Sequence, residues 1–186
     1  WLGSIDDVRI YNRALSPREV RDLYNFAPGP IAHFKLYEGT GTSSVNDSSS
    51  TGNSGTMSGF ASSDWVVGKY GKALNMDRSD NVISTSNPIN QSGTLKSATL
   101  MAWVYKRSYT CYQAAMGLYD NVNARFFDLD TYNSDGRFYS HLSTTGLTNE
   151  TITTSVVPLN TWTHLAVSYE NGYHRFYVNG VFVYIS

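Results

Sequence analysis

Along most of this chain an apolar residue returns at every second position, the period of a strand with one face buried, and helix-spaced stripes are nearly missing. Alternating runs cover Ile31 to Tyr37, Asn81 to Thr85, Ala98 to Lys106, Ala124 to Thr131, Arg137 to Leu142, Thr161 to Tyr169 and Tyr173 to Ile185. Asn133-Ser134-Asp135-Gly136 and Val178-Asn179-Gly180-Val181 carry the residues that tolerate positive φ, which predicts hairpin turns there. Ser4 to Asn12 alternate around Val8 and Ile10. Ser16-Pro17-Arg18-Glu19 then supplies an N-cap, a first-turn proline and a capping-box Glu, which predicts a short helix over Pro17 to Tyr24. Ala27-Pro28-Gly29-Pro30 ends it, because proline can neither continue a helix nor leave its predecessor in one. From Gly39 to Gly59 the chain is rich in Gly, Ser, Thr and Asn and is expected to form a long loop too polar to pack. The pattern predicts an all-β, antiparallel sandwich with one short helix near the N-terminus.

Composition narrows the chemistry. With 186 residues the chain is long enough for one domain with a hydrophobic core. Tyr (14), Phe (8) and Trp (4) are frequent while charged residues make up only 16%, a balance suited to pleated strands. Fourteen basic residues against 15 acidic ones give no field able to hold nucleic acid or anionic lipid by charge alone. The single cysteine, Cys111, allows no internal disulfide, and no Cys/His spacing suggests zinc. No apolar run is long enough to insert into a membrane.

Specific strings go further. The run GSIDDVRIYNRALSPREVRDLY at Gly3 to Tyr24 resembles the closing strand and helix of laminin G-like domains of the concanavalin A-like lectin and glucanase superfamily. From Ala32 onward AHFKLYEGTGT, NDSSSTGNSGT, GKYGKAL, ATLMAWVY and WTHLAVSYENGYHRFYVNGV resemble the same family from its first strand. The family's ending thus stands first. The resemblance implies a piece of a tandem array in a secreted bacterial-type protein, with circular permutation as the alternative: residues 1–24 end one repeat, 25–30 link, and 31–186 form a jelly roll lacking its own closing strand. First and last strands are neighbours in this fold, so residues 4–12 are expected to pair antiparallel with residues 31–37 and cover an exposed edge.

The resemblance also implies candidate sites. In laminarinase-type relatives a closing-strand carboxylate serves a structural calcium, which places Asp6 or Asp7 as metal ligands, with Asp47 of the polar stretch and Glu38 or Asn53 as further oxygens. The alternative for Asp47 is an Asx-turn. Alternation that turns Phe34, Leu36, Phe127, Leu129, Phe138, Leu165, Val167, Phe176 and Val178 inward turns Lys35, Tyr37, Tyr105, Asp128, Asp130, Tyr139, His141, His164, Arg175 and Tyr177 outward. Aromatic rings beside hydrogen-bonding groups suit pyranose rings, so Tyr37, Tyr105, Tyr139, His141, Arg175 and Tyr177 are the sheet-face candidates, an ordinary solvated face being the alternative. Tyr109, Asp120, Asn121 and Arg125 at strand ends form a second candidate group, with Asp120-Asn121 roughly where pentraxins hold a calcium-linked ligand loop. Asp128 and Asp130 have a glycosidase-like spacing, but FFDLDT lacks the Glu pair of the related hydrolases, and no Ser or Cys motif accompanies the four histidines. The expectation is a non-catalytic, extracellular module binding polysaccharide or surface glycan beside neighbouring repeats. A structural spacer and a divergent hydrolase or lyase are the alternatives.

Overall fold

The computed structural model describes residues 13–17, 20, 29–76, 80–85, 97–109, 114–118, 127–132, 135–144 and 147–186. Two four-stranded antiparallel sheets pack face to face. One, in spatial order β13-β12-β11-β6, is built from β6 (Ser97–Tyr105), β11 (Trp162–Glu170), β12 (Tyr173–Val178) and β13 (Val181–Ile185). The other, in order β10-β9-β8-β7, is built from β7 (Met116–Leu118), β8 (Phe127–Thr131), β9 (Arg137–Thr144) and β10 (Leu147–Val156). Both hairpins of the first sheet turn on two residues with positive φ: Asn171 (51°) and Gly172 (91°), then Asn179 (50°) and Gly180 (78°). Such turns match the right-handed twist of the strands they join.

Between the sheets Phe127, Leu129, Phe138, Leu165, Val167 and Phe176 are all fully buried, as alternation predicts, and Val178 packs against them. Burial of each such side chain contributes roughly 1.5–3 kcal/mol. His174 lies in this layer too. Its ring stacks on Phe127 at 5.9 Å, and Nδ1 shares hydrogen bonds with Thr151 Oγ1 (3.2 Å) and Ser186 Oγ (3.4 Å). Burial, reinforced by the charge of His141, pushes its pKa down to about 4.

The stretch expected to be an unpacked loop is instead half of a second layer. There β1 (Ser44–Val45), β2 (Gly55–Ser58) and β5 (Val82–Ser84) form a small sheet, and β3 (Trp65–Val67) pairs with β4 (Lys72–Leu74). Val45, Met57 and Trp65 are its buried centre, packed by Phe34, Leu36, Phe60, Leu74 and Ile83. Three apolar residues among many polar ones suffice because the polar groups bond to each other. Asp47 accepts His33 N–H and Ser49 N–H at Oδ1 (both 2.8 Å), and Ser49 Oγ–H (2.6 Å), Thr51 Oγ1–H (3.3 Å) and Asn53 N–H (2.8 Å) at Oδ2.

The strand expected over Ile31 to Tyr37 is reduced to one antiparallel bridge, Phe34 with Asp47, because Leu36 takes φ 55° and breaks the extended chain. Pro17 and Val20 are helical, and Val20 N–H donates to Ser16 O (3.1 Å), as the Ser-Pro start predicts. The expected strand at 4–12, and its pairing with residues 31–37, lies outside the described residues.

Candidate ligand-binding face

Each sheet has an outer face, and the two are built differently. On the β6-β11-β12-β13 sheet the strand period leaves Met101, Trp103 and Tyr105 exposed along β6. The register sets Trp162 opposite Tyr105, His164 opposite Trp103 and Ala166 opposite Met101. Rings therefore meet across strands: Tyr105 and Trp162 have centroids 5.5 Å apart, and Trp103 and His164 meet edge-on at 5.3 Å. The turn joining β3 to β4 leans over this row. It is closed by Gly68 N–H donating to Gly71 O (3.0 Å), and it brings Tyr70 edge-on to Trp103 at 5.7 Å and Lys69 Nζ to 4.9 Å from that indole. Asn179 is fixed from the far side, where its Oδ1 accepts His164 N–H (2.9 Å) and its own N–H donates to His164 O (2.8 Å). Lys69, Trp103, Trp162, His164, Asn179 and Gly180 together line an open depression of about 510 Å³. Partial burial among these rings lowers the pKa of His164, so it is neutral at pH 7.

The outer face of the β7–β10 sheet is closed over β8 and the start of β9. Asp128, Asp130, Tyr139 and His141 share it by strand parity, yet Asp128 and Asp130 are 0% exposed and Tyr139 only 3%. Asp128 is drawn into the ladder itself: its Oδ1 accepts the backbone N–H of His141 (2.8 Å), and its carbonyl accepts Ser140 Oγ–H (2.6 Å). Asp130 Oδ1 accepts Thr131 N–H (2.6 Å). Burial first, then the nearby Glu150 and Asp128 charges and a hydrogen bond to Glu150, drive the Tyr139 pKa far above its usual value. Asp128 and Asp130 are thus held against the ladder and out of a ligand's reach, whereas His141 is half-buried and its cross-strand neighbour Glu150 is exposed.

A family model described as the concanavalin A-like lectin/glucanases superfamily, of laminin G type, matches residues 77–185, more than half of the chain. The chain belongs to that superfamily. No curated protein matches it. Among solved structures, an S-layer domain-containing protein from Clostridium thermocellum (residues 221–444) aligns with TM-score 0.54 and 19% identity, over 83% of this chain and 71% of that one. At that identity the likeness speaks for the fold.

Within this superfamily's sandwich the sequence candidates do not form one groove. Tyr105, Arg175 and Tyr177 lie on the open face, whereas Tyr139 and His141 lie on the opposite side of the molecule. Arg175 sits 3.9 Å from Glu170, well along the sheet from the depression. Tyr37 is exposed and passes close to Gly71, beside the turn that carries Tyr70. Tyr109 is a packing residue: its hydroxyl donates to Val157 O (2.8 Å), and its ring lies over Gly136, where any Cβ would collide at 2.1 Å. Asp120, Asn121, Arg125, Asp6 and Asp7 lie outside the described residues.

For calcium, Asp47 takes the Asx-turn alternative. Both its oxygens face N–H and O–H donors, which is the wrong polarity for a cation's neighbours. Glu38 keeps one buried oxygen, Oε2, without a hydrogen-bond partner while Oε1 accepts Asn46 N–H (2.7 Å). Among the described residues no three His, Cys, Asp or Glu side chains converge on a metal position, and Asp6 and Asp7, the other expected ligands, lie outside them.

Sequence reasoning missed Trp103, Trp162 and Tyr70. Trp103 was within reach, because it shares the parity of Tyr105 in ATLMAWVY. Tyr70 and Lys69 were not, since only the packing of the β3–β4 hairpin brings them to this sheet.

Proposed function

We propose that this chain is a non-catalytic carbohydrate-binding module of a secreted or cell-surface protein, and that it holds glycan on the Trp103 face rather than on the Tyr139 face. The observation that carries this is the depression of about 510 Å³, where two indoles and an imidazole border hydrogen-bonding groups of Lys69 and Asn179. Pyranose C–H faces stack on such rings, and sugar hydroxyls bond to such polar groups. A surface setting is supported by the fold shared with an S-layer domain-containing protein. A spacer with no ligand has no use for a row of exposed rings along β6, where Trp103 is 37% and Tyr105 41% exposed. A hydrolase needs carboxylates open to substrate, and Asp128 and Asp130 are closed off.

The test is a glycan array followed by titration calorimetry with the full chain, Trp103→Ala and Trp162→Ala. By analogy with aromatic pairs, each ring contact is worth roughly 0.5–1.5 kcal/mol, so either change is expected to weaken binding several-fold while the melting temperature moves little. Unchanged affinity in both variants refutes the assignment of the face.

A further inference from the structure

We infer that the glycan taken by the Trp103 depression is an acidic saccharide, one bearing carboxylate or sulfate groups, and this rests on the reading of that face as the binding site. The polar inventory of the depression is one-sided. Lys69 brings an ammonium group, and among the described residues no carboxylate is paired with it. Trp103 and Trp162 bring indole N–H donors. Asn179 already turns its oxygen to the backbone N–H of His164 (2.9 Å), which leaves its NH₂ donor and at most one lone pair of that oxygen for a ligand. Among the described residues that line it, the imidazole of His164 holds the only side-chain acceptor nitrogen, and none is Asp or Glu.

A neutral sugar fits such a surface poorly. Each of its hydroxyls is a donor as well as an acceptor, so a site for neutral sugar needs acceptors to take those protons. A carboxylate or sulfate group only accepts, and charge-assisted bonds from an ammonium and amide N–H groups are stronger than neutral ones. The nearest carboxylate along β11 is Glu170, six residues from His164 and so about 20 Å away, and it faces Arg175. Nothing acidic on that strand repels an anion at the depression.

The experiment compares one polymer in two charge states. The full chain is titrated at low salt with polygalacturonate and with the same polymer fully methyl-esterified, with heparin as the sulfated arm and dextran as a neutral control. The acidic form is expected to bind about tenfold more tightly than its ester, and the gap is expected to close as salt rises. Lys69→Gln, an exposed position that leaves the core untouched, is expected to remove that preference, whereas Trp103→Ala weakens binding of every form. Preference for heparin over polygalacturonate, or the reverse, identifies the anionic group. Equal affinity for acid and ester, lost together in Trp103→Ala, overturns the acidic assignment and leaves the face standing. Binding that Trp103→Ala does not change, or no binding to any of the polymers, overturns both.

Discussion

The two outer faces of the sandwich start from the same alternating pattern and end in opposite states. On the β6-β11-β12-β13 sheet, outward side chains are rings that meet their cross-strand neighbours and stay open to solvent. On the β7–β10 sheet, outward side chains are carboxylates and a tyrosine that bond to the ladder and to one another under cover. Strand parity says only which side of a sheet a residue leaves. Whether that side meets water depends on what else packs there.

The sharpest way to break this contrast is to truncate one tyrosine from each face. Tyr139→Ala is expected to cost about 3–5 kcal/mol in chemical denaturation, because it empties a buried ring site, while Tyr177→Ala costs under about 1 kcal/mol. Tyr139→Phe removes only the hydroxyl bonded to Glu150 and should lose about 1 kcal/mol, with glycan binding unaltered. If Tyr139→Phe abolished binding while remaining folded, the closed face would have to be the functional one.

The wall between the faces gives the next effect. His174 has its pKa pushed down to about 4, against about 6.5 in an unfolded chain. The unfolded state therefore takes up the proton first, so stability is full above about pH 6.5, falls as pH drops towards 4, and levels off below that. The loss should be on the order of 3 kcal/mol. His174→Gln, neutral throughout, should flatten the curve in that window. Retention of the slope in His174→Gln would locate the titrating group elsewhere.

Two smaller effects separate ties that hold the fold from ties that do not. Burial opposes ionisation of Asp47, but hydrogen bonds from Ser49, His33 and Asn53 outweigh it and hold its pKa well below the ordinary carboxylate range. Asp47→Ala is expected to cost about 1–2 kcal/mol and to expose the 39–59 segment to limited proteolysis. Its contribution is present above pH 4 and lost below, clear of the window set by His174. Arg175→Ala breaks a solvent-facing pair at 3.9 Å and should change stability by less than about 0.5 kcal/mol. A larger loss would mean that the open face has a structural role.

Much of the sandwich could be read directly. Alternation located β6, β8, β9, β11, β12 and β13 within a few residues, and it assigned Phe127, Leu129, Phe138, Leu165, Val167 and Phe176 to the core, because a half-buried strand writes its period into the sequence. The Asn-Gly pair at 179–180 fixed a hairpin for an equally local reason. β10 escaped notice although LTNETITTSV is rich in β-branched residues, since Thr counts as polar in a hydrophobicity pattern yet packs well in a strand. The 39–59 segment was misjudged because its few apolar residues, Val45 and Met57, become a core only when Trp65, Phe34 and Ile83 arrive from elsewhere.

The sequence by itself determined the fold class, the superfamily and the side of the sheet that most strand residues take, since each depends on local periodicity or on contiguous motifs. Only the tertiary structure decided which outward residues form a site. It set Trp103 beside His164 through strand register, brought Lys69 and Tyr70 over them on a hairpin some thirty residues away along the chain, and closed the face that holds Tyr139. Burial and cross-strand contact are made by residues distant in sequence, so no local pattern encodes them.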